Sequence, residues 1–194
     1  MPQKGIRAFL KHFFRNPLST GAITPSSRTL GRKMGELIEP ERVKIVAEFG
    51  PGTGAITPFI LKRLKPDSRF FAVERNKEFY EIFRSKYKNL TIFHDSIEQL
   101  SPILKKLNID KIETIVSSLP WASFSDQLQE HFLRLIHKIL IPGGTFLTFA
   151  YIHGTILPSG RNLRSLLDKT FSSVEVSPII WRNIPPAIIY KCKK

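Results

Sequence analysis

Apolar and polar positions along this 194-residue chain follow two different patterns. The pattern nearest the N-terminus has the period of a helix. Near the N-terminus, aromatic and aliphatic residues recur every three to four positions, with basic residues on the other side. The pattern predicts a short amphipathic helix. Its apolar face holds Phe9, Leu10, Phe13 and Phe14, and its basic face holds Lys4, Arg7, Lys11 and Arg15.

From Lys44 onward, predicted strands alternate with predicted helices. The strand candidates are "KIVAEFG", "RFFAVERN", "LTIFHDS", "IETIVSS" and "GGTFLTFAY", and helical patterns follow the first, second and fourth of them. This alternation favours an α/β fold with a mainly parallel sheet and helices on both faces. The last segment, "VEVSPIIWRNIPPAIIYKCK", holds two strands without a helix between them, so they are predicted to form an antiparallel hairpin. Ligands of such sheets bind at the carboxyl ends of the strands, where the strand order reverses.

Charge and cysteine content narrow the choice of partner and compartment. The net charge is +14, and residues 1–35 carry seven Lys or Arg and no acid, which predicts an anionic partner, either nucleic acid or a membrane surface. The single cysteine, Cys192, excludes an internal disulfide and indicates a reducing compartment. Since basic residues interrupt every apolar run near the N-terminus, we expect neither a signal peptide nor a spanning helix there. The chain is predicted to be cytoplasmic.

The segment "EFGPGTG" carries the strongest motif. Gly50, Gly52 and Gly54 permit a turn so tight that backbone rather than side chain faces a ligand. Their GxGxG spacing differs from the GxGxxG of dinucleotide-binding proteins. Glu48, two residues before the first glycine, disfavours a phosphate and favours a cation.

Two further acids end the next two predicted strands. Glu74 lies twenty residues after Gly54, where an acid can accept hydrogen bonds from both hydroxyls of a ribose. Asp95 ends the third strand and is placed to accept a hydrogen bond from an adenine amine. Each residue alone is compatible with a sharp connection or a helix cap. Together they describe a ligand with a ribose, an adenine and a positive group, which fits S-adenosylmethionine better than a dinucleotide.

This constellation resembles the class I S-adenosylmethionine-dependent methyltransferases over essentially the whole chain. The resemblance implies a Rossmann-like, seven-stranded sheet with its last strand antiparallel beside the fifth. It also implies that Ile97 packs on the adenine and that Ser117 lies close to the sulfonium. Residues 36–194 would form this domain, preceded by the basic helix and lead-in segment of residues 1–35.

The stretch "SSLPW" after the fourth strand is the predicted acceptor end of the site. Ser117, Ser118 and the Leu119 carbonyl can orient an amine, while Trp121 can stack on a base or attract an ammonium group. The alternative is that Trp121 and Phe124 cap the core beneath the following helix.

Two methyltransferase families have a similar sequence here. The rRNA adenine dimethyltransferases carry Asn-Leu-Pro-aromatic, but Ser118 replaces the asparagine, and we expect no room for their C-terminal RNA-binding domain. Bacterial phospholipid N-methyltransferases share the basic N-terminal helix, a "PSSR" segment, a Leu-Pro turn and an "N-x-PPA" segment. That resemblance implies successive methylation of phosphatidylethanolamine toward phosphatidylcholine.

The second resemblance sets the remaining assignments. Ser118 and Tyr151 are the candidate catalytic residues, the first to orient the nitrogen and the second to help take its proton. The candidate substrate-binding residues are Ser26, Arg28, Leu119, Pro120, Trp121 and Asn183, with Arg28 and Asn183 as alternatives for the lipid phosphate. We expect a monomer that binds an anionic membrane surface through the N-terminal helix, at the inner face of the cell membrane. The histidines show no metal-ligand grouping, so no metal is predicted. An RNA adenine methyltransferase and a non-catalytic membrane- or RNA-binding module remain the alternatives.

Overall fold

A computed structural model of the protein describes residues 25–194, with side chains from residue 28 onward. In this range the strands are β1 (Ile45–Phe49), β2 (Arg69–Glu74), β3 (Thr91–His94), β4 (Ile112–Ser117), β5 (Leu140–Tyr151), β6 (Ser173–Val176) and β7 (Ala187–Lys193). The α-helices are α1 (Pro25–Glu36), α2 (Thr57–Leu61), α3 (Lys77–Lys86), α4 (Leu100–Leu107), α5 (Asp126–Ile139), α6 (Ile152–Thr155) and α7 (Pro158–Thr170). Short 3₁₀ turns occupy Pro40–Arg42, Ile97–Gln99 and Trp121–Ser123.

Within the described residues, seven strands form one sheet in the order β3-β2-β1-β4-β5-β7-β6. Strands β1 to β5 pair in parallel, and β7 runs antiparallel to both β5 and β6. The predicted parallel sheet, the terminal hairpin and the antiparallel strand beside β5 are therefore confirmed. The strand order reverses between β1 and β4, so a ligand site is expected where these two strands end.

Both faces of the sheet are buried, which explains why the central strands are mostly apolar. Successive residues of β1 show the alternation. Val46 packs with α1 and α2, whereas Ala47 packs with α4, α5 and α7 on the other face.

Helix α1 belongs to this core. Its Leu30 and Met34 are buried against the sheet. The predicted boundary between residues 35 and 36 falls within α1, and Leu30 and Met34, on its N-terminal side, pack with the residues that follow. The predicted N-terminal helix lies outside the described residues, and with it the membrane-binding candidates Lys4, Arg7, Phe9, Leu10, Lys11, Phe13, Phe14 and Arg15.

Three of the described helices, α4, α6 and α7, were not identified from the sequence. Helix α4 contains Pro102, and α7 begins at Pro158, and both prolines resemble turn signals. Each lies in the first turn of its helix, where a missing N–H leaves no intrahelical hydrogen bond unmade. None of the helices in residues 25–194 has both the length and the apolar character needed to span a bilayer.

Candidate functional site

The glycine-rich turn between β1 and α2 has all three glycines in the left-handed region. Gly50, Gly52 and Gly54 have φ values of 68°, 57° and 73°. A Cβ on Gly54 would clash with the ring of Tyr87, whereas a Cβ on Gly52 would meet no atom within 4 Å. Gly54 is therefore required by internal packing, while the backbone of Gly52 borders open space that a ligand can approach.

Glu48 is fully buried at the end of β1. Its Oε2 accepts a hydrogen bond of 2.7 Å from Thr57 Oγ1, while Oε1 is buried and has no hydrogen-bond partner among the described residues. Burial raises the pKa of Glu48 to about 8, the nearby Glu74 charge adds to the rise, and the Thr57 hydrogen bond opposes it. The unpaired oxygen beside the glycine-rich turn suits a cation or a hydrogen-bond donor.

Glu74, at the end of β2, is bonded directly to the glycine-rich turn. Its Oε2 accepts a hydrogen bond of 3.0 Å from the Gly52 N–H, and its Oε1 accepts one of 2.8 Å from the Asn76 N–H. Burial raises the pKa of this carboxyl, and the backbone hydrogen bonds oppose the rise. The ends of β1 and β2 are thus joined into one site.

Asp95 continues the same edge beyond β3. Its N–H donates to the Glu74 carbonyl at 3.1 Å, and its Oδ1 accepts from the Ser96 N–H at 2.8 Å. The Asp95 side chain is exposed, whereas Ile97 is buried in the core beneath this edge. The three predicted donor-site acids therefore lie along one edge of the sheet.

The turn after β4 lies against the glycine-rich turn. The Ser118 N–H donates to the Phe49 carbonyl at 2.9 Å, and Leu119 Cδ2 lies 3.0 Å from where a Cβ on Gly50 would be. Ser118 Oγ is buried and, like Glu48 Oε1, has no hydrogen-bond partner within the described range. Two unpaired polar atoms thus occur where the strand order reverses.

Ser117 is fully buried, and its hydroxyl is already used within the protein. Its Oγ accepts hydrogen bonds from the Trp121 Nε1–H and the Leu119 N–H, each at 3.3 Å. The Leu119 carbonyl accepts from the Trp121 N–H at 2.9 Å. Ser117 therefore shapes the turn from within, while Ser118 presents the unpaired hydroxyl.

The prediction that Trp121 forms an open aromatic wall is corrected by its burial. Its side chain is 2% exposed, and its ring meets those of Phe124 and Phe146 edge-on, with centroids 5.9 and 6.1 Å away. Since its N–H is bonded to Ser117 as well, the indole has neither a free face nor a free donor. The alternative interpretation, in which Trp121 and Phe124 pack in the core, describes the structure.

Tyr151 ends β5 and packs beside Phe149 and His153. Burial raises the pKa of its phenol above the ordinary value of 10. A phenol with a raised pKa is protonated near neutral pH, so it can accept a hydrogen bond from an amine but cannot take its proton.

The other predicted acceptor residues differ in position and burial. Asn183 is buried in the β6–β7 loop, where its Nδ2 donates to the Pro185 carbonyl at 2.6 Å. This bond gives Asn183 a role in shaping the loop, and its contact with a lipid phosphate stays a prediction. Arg28 is exposed on α1, Pro120 is half-buried in the turn after β4, and the side chain of Ser26 is outside the described part of the chain.

Three residues that support the site were not found from the sequence. Thr57 hydrogen-bonds Glu48, Tyr87 donates to the Gly54 carbonyl at 2.9 Å, and Gln129 donates to the Trp121 carbonyl at 2.8 Å. The partners are 9, 33 and 8 residues apart, and no helical or strand period signals such contacts. Among residues 28–194, no three His, Cys, Asp or Glu side chains group closely enough to bind a metal ion.

Comparison with known proteins places the chain in a family. No protein-family model matches it. It is 31% identical to the ornithine lipid N-methyltransferase of Singulisphaera acidiphila over 188 residues, which cover 95% of this chain and 94% of that enzyme. The chain belongs to the family of that enzyme. Ribosomal RNA small subunit methyltransferase A of Hydrogenobaculum sp. is 28% identical over 102 residues, and the match covers 53% of this chain but 38% of that enzyme.

Solved structures agree on the fold. The N-methyltransferase NodS of Bradyrhizobium japonicum has a TM-score of 0.71 at 14% identity, covering 89% of this chain and 98% of NodS. An O-methyltransferase of Bacillus cereus has a TM-score of 0.69 at 13% identity, covering 97% and 90% of the two chains. The protein thus has the Rossmann-like class I methyltransferase fold, which agrees with the predicted cofactor, S-adenosylmethionine.

The residues at the strand ends fit this cofactor. The open backbone of Gly52 leaves space beside the turn, and Glu48 Oε1 provides an unpaired acceptor for a cationic ligand. Glu74 retains acceptor capacity because each carboxylate oxygen can accept more than one hydrogen bond. The predicted donor residues are therefore compatible with S-adenosylmethionine in their positions and in their chemistry.

Proposed function

We propose that this protein is an S-adenosylmethionine-dependent N-methyltransferase that acts on the amine of a membrane lipid. The observation that supports it most is the extent of the match to the ornithine lipid N-methyltransferase, which covers 94% of that enzyme. The ribosomal RNA methyltransferase is matched over 38% of its length. A lipid acceptor is therefore favoured over RNA.

Two lipid amines are candidates for the acceptor. Ornithine lipid is favoured by the relative named for it. Phosphatidylethanolamine and its methylated derivatives are favoured by the order of the "PSSR", "SSLPW" and "NIPPA" segments, which is similar to that of phospholipid N-methyltransferases. Both lipids present a primary amine, so the same site chemistry suits either.

We assign the donor to the edge formed by β1, β2 and β3. Gly50 and Gly52 allow the close approach, Glu74 accepts from the ribose hydroxyls, and Asp95 accepts from the adenine amine. Ile97 supports the adenine from the core, and Glu48 with Ser117 lies near the positive end. When bound, S-adenosylmethionine supplies a methyl group activated by its sulfonium.

At the acceptor end, Ser118 is the orienting residue. A nucleophilic amine must be unprotonated and must keep its lone pair free, so the protein can accept hydrogen bonds from its N–H groups but cannot donate to its nitrogen. The unpaired Ser118 Oγ can accept such a bond. Because Tyr151 is a neutral phenol, we assign it to hydrogen bonding, and the proton leaves to water.

The proposal places the reaction at the inner face of the cell membrane. The predicted basic N-terminal helix and the net charge of +14 favour attraction to anionic lipid. The protein is proposed to bind there as a monomer. A lipid amine is part of the bilayer, so a reaction there brings the acceptor to the enzyme.

The experiment that tests this function offers the acceptors in parallel. The purified protein is incubated with methyl-labelled S-adenosylmethionine and one of three acceptors: anionic vesicles with phosphatidylethanolamine, anionic vesicles with ornithine lipid, or bulk RNA. We expect label in a lipid fraction and none above background in RNA, with Ser118→Ala slower than wild type. Thin-layer separation then identifies the lipid and the number of methyl groups added.

Label in RNA alone would overturn the proposal in favour of an RNA adenine methyltransferase. Binding of S-adenosylmethionine without label in any fraction would support a non-catalytic module. The variant Ser123→Ala, altered close to the β4 turn but away from the unpaired hydroxyl, is the matched control for Ser118→Ala.

A further inference from the structure

Exposed apolar side chains are concentrated in two segments of the molecule. Among residues 28–194, the large hydrophobic side chains that are exposed lie between α6 and α7 or in the β6 end and β6–β7 loop. Trp181 is 70% exposed and Ile184 is 82% exposed. We call this set the loop surface; its members are Ile156, Leu157, Val176, Ile179, Trp181 and Ile184.

The two segments are held next to each other. The Ile152 N–H, at the start of α6, donates to the Pro186 carbonyl at 2.9 Å, and Ile180 pairs with Ala187 inside the loop. Val176 and Thr155 line a common groove of about 300 Å³ between α7 and the hairpin. The exposed side chains therefore belong to one region rather than to scattered positions.

This region lies on the same edge of the sheet as the proposed active site. Strands β1, β4 and β5 run in parallel and end at that edge. Because β7 is antiparallel to β5, its first residue lies there too: Ala187 pairs with Tyr151. The loop surface therefore extends from the edge at which donor and acceptor meet.

Apart from Glu175, which precedes Val176, the charged residues next to the loop surface are positive. Residues 152–164 and 177–191 contain no Asp or Glu. Exposed Arg161 and Arg182 lie among the apolar side chains. An exposed tryptophan with apolar neighbours and arginines is the combination that suits the boundary between headgroups and acyl chains.

We propose that the loop surface is a second membrane-contacting site, which inserts Trp181 and Ile184 into an anionic phospholipid bilayer. This inference rests on the proposed function, since a lipid acceptor must enter the site from a bilayer. With the loop surface in the headgroup region, the strand ends face the lipid amines. The loop surface is distant in sequence from the predicted N-terminal helix, and most of its residues belong to the β6–β7 hairpin.

Intrinsic fluorescence tests the insertion directly, because the chain has two tryptophans, of which Trp121 is buried and Trp181 is exposed. Adding vesicles of phosphatidylglycerol and phosphatidylethanolamine to the full chain should shift the emission to shorter wavelength. Lipids brominated on the acyl chain should then quench it. The Trp181→Phe variant should show neither effect, because its remaining indole is in the core.

Sedimentation with the same vesicles measures the contribution to binding. We expect the double variant Trp181→Ser/Ile184→Ser and the variant Arg182→Glu each to lower the bound fraction several-fold. The matched control is Arg84→Glu, an equal charge change on an exposed residue in the last turn of α3. Circular dichroism and thermal unfolding confirm that each variant is folded.

The outcomes separate this inference from the proposed function. Lipid methylation without a Trp181 response to vesicles overturns the loop surface and leaves the function standing. A Trp181 response without lipid methylation overturns the function and leaves the contact standing. A concentration-dependent blue shift in the absence of vesicles would assign the surface to a second copy of the chain and overturn the membrane contact.

Discussion

Glu48 and Glu74 end neighbouring strands, yet their hydrogen bonds give them different chemistry. Glu74 accepts from two backbone N–H groups, one of them in the glycine-rich turn, so it shapes the site and still has acceptor capacity. Among the described residues, Glu48 has a single hydrogen-bond partner, Thr57, and one unpaired oxygen. Glu74 is therefore suited to position a neutral sugar, and Glu48 is suited to respond to the charge of a ligand.

For Glu74 we expect the substitution Glu74→Gln to weaken S-adenosylmethionine binding by at least about tenfold, because charge-assisted hydrogen bonds are lost. Isothermal titration calorimetry measures the affinity. Glu81→Gln, an exposed change on α3, is the control. Unchanged affinity in a folded Glu74→Gln protein would remove the donor assignment from this carboxylate.

For Glu48 we expect a pH-dependent penalty on stability. Its pKa of about 8 in the folded state lies above the ordinary value of 4.5, so the folded state holds a proton that the unfolded state has released. The free energy of unfolding therefore falls as pH rises between these two values and levels off above the higher one. Glu48→Gln removes this titration.

Thermal unfolding of wild type and Glu48→Gln at about pH 5 and about pH 9 checks the sign. The variant should gain in Tm relative to wild type at the higher pH, where each 1 kcal/mol corresponds to roughly 2–4 °C. The same linkage predicts that cationic donor binds wild type more tightly as pH rises toward 8, because charge on Glu48 favours it. A Tm difference that is independent of pH would contradict the assigned titration.

At the scale of elements, two glycines of the glycine-rich turn have different roles, one in internal packing and one in the approach of a ligand. Gly54 is confined by Tyr87, whereas Gly52 borders open space. We expect Gly54→Ala to lower Tm strongly, since a Cβ clashes with the ring and the left-handed conformation is strained. Gly52→Val should cost less stability but reduce donor affinity. Parallel unfolding and calorimetry test this, and the reverse pattern would contradict the geometry of the turn.

The turn after β4 is stabilised from inside by Trp121. We expect Trp121→Ala to cost about 3–5 kcal/mol of unfolding free energy, typical of a large aromatic side chain removed from a core. Trp121→Phe should cost less, and the ratio of singly to multiply methylated lipid should stay as in wild type. Chemical denaturation and thin-layer separation measure the two effects. A shifted product ratio in Trp121→Phe would mean that the indole meets the acceptor.

At the scale of the whole molecule, the excess of positive charge predicts how membrane binding depends on salt. We expect binding to anionic vesicles to fall as ionic strength rises, because exposed charges are screened within about 8 Å at physiological salt. Deleting residues 1–15 removes four bases and should weaken both the binding and its salt dependence. Sedimentation at several salt concentrations measures both.

Two double variants with the same change in net charge show whether the position of the basic residues matters, or only their number. Lys11→Glu/Arg15→Glu should lower the bound fraction, whereas Lys105→Glu/Lys138→Glu, on the exposed surface of α4 and α5, should change it less. Equal losses in the two double variants would mean that net charge, rather than the N-terminal helix, determines membrane attraction.

Local patterns in the sequence predicted the order of the strands and the positions of the candidate donor residues. Period-two and period-3.6 patterns are local, and so is the requirement for glycine at left-handed positions in "EFGPGTG". Because the carboxyl ends of parallel strands share one edge, Glu48, Glu74 and Asp95 could be placed together from their positions alone.

The open and covered faces of the site residues could not be predicted from local patterns. Whether an aromatic ring faces a cleft or the core depends on packing partners distant in sequence: Trp121 is covered by Phe146 and bonded to Ser117, while Trp181 is exposed. Asn183 is held by its own loop, and Ser118 is left as an unpaired hydroxyl for the same kind of reason. Burial and hydrogen-bond pairing depend on the packing of the whole chain, and no local pattern encodes them.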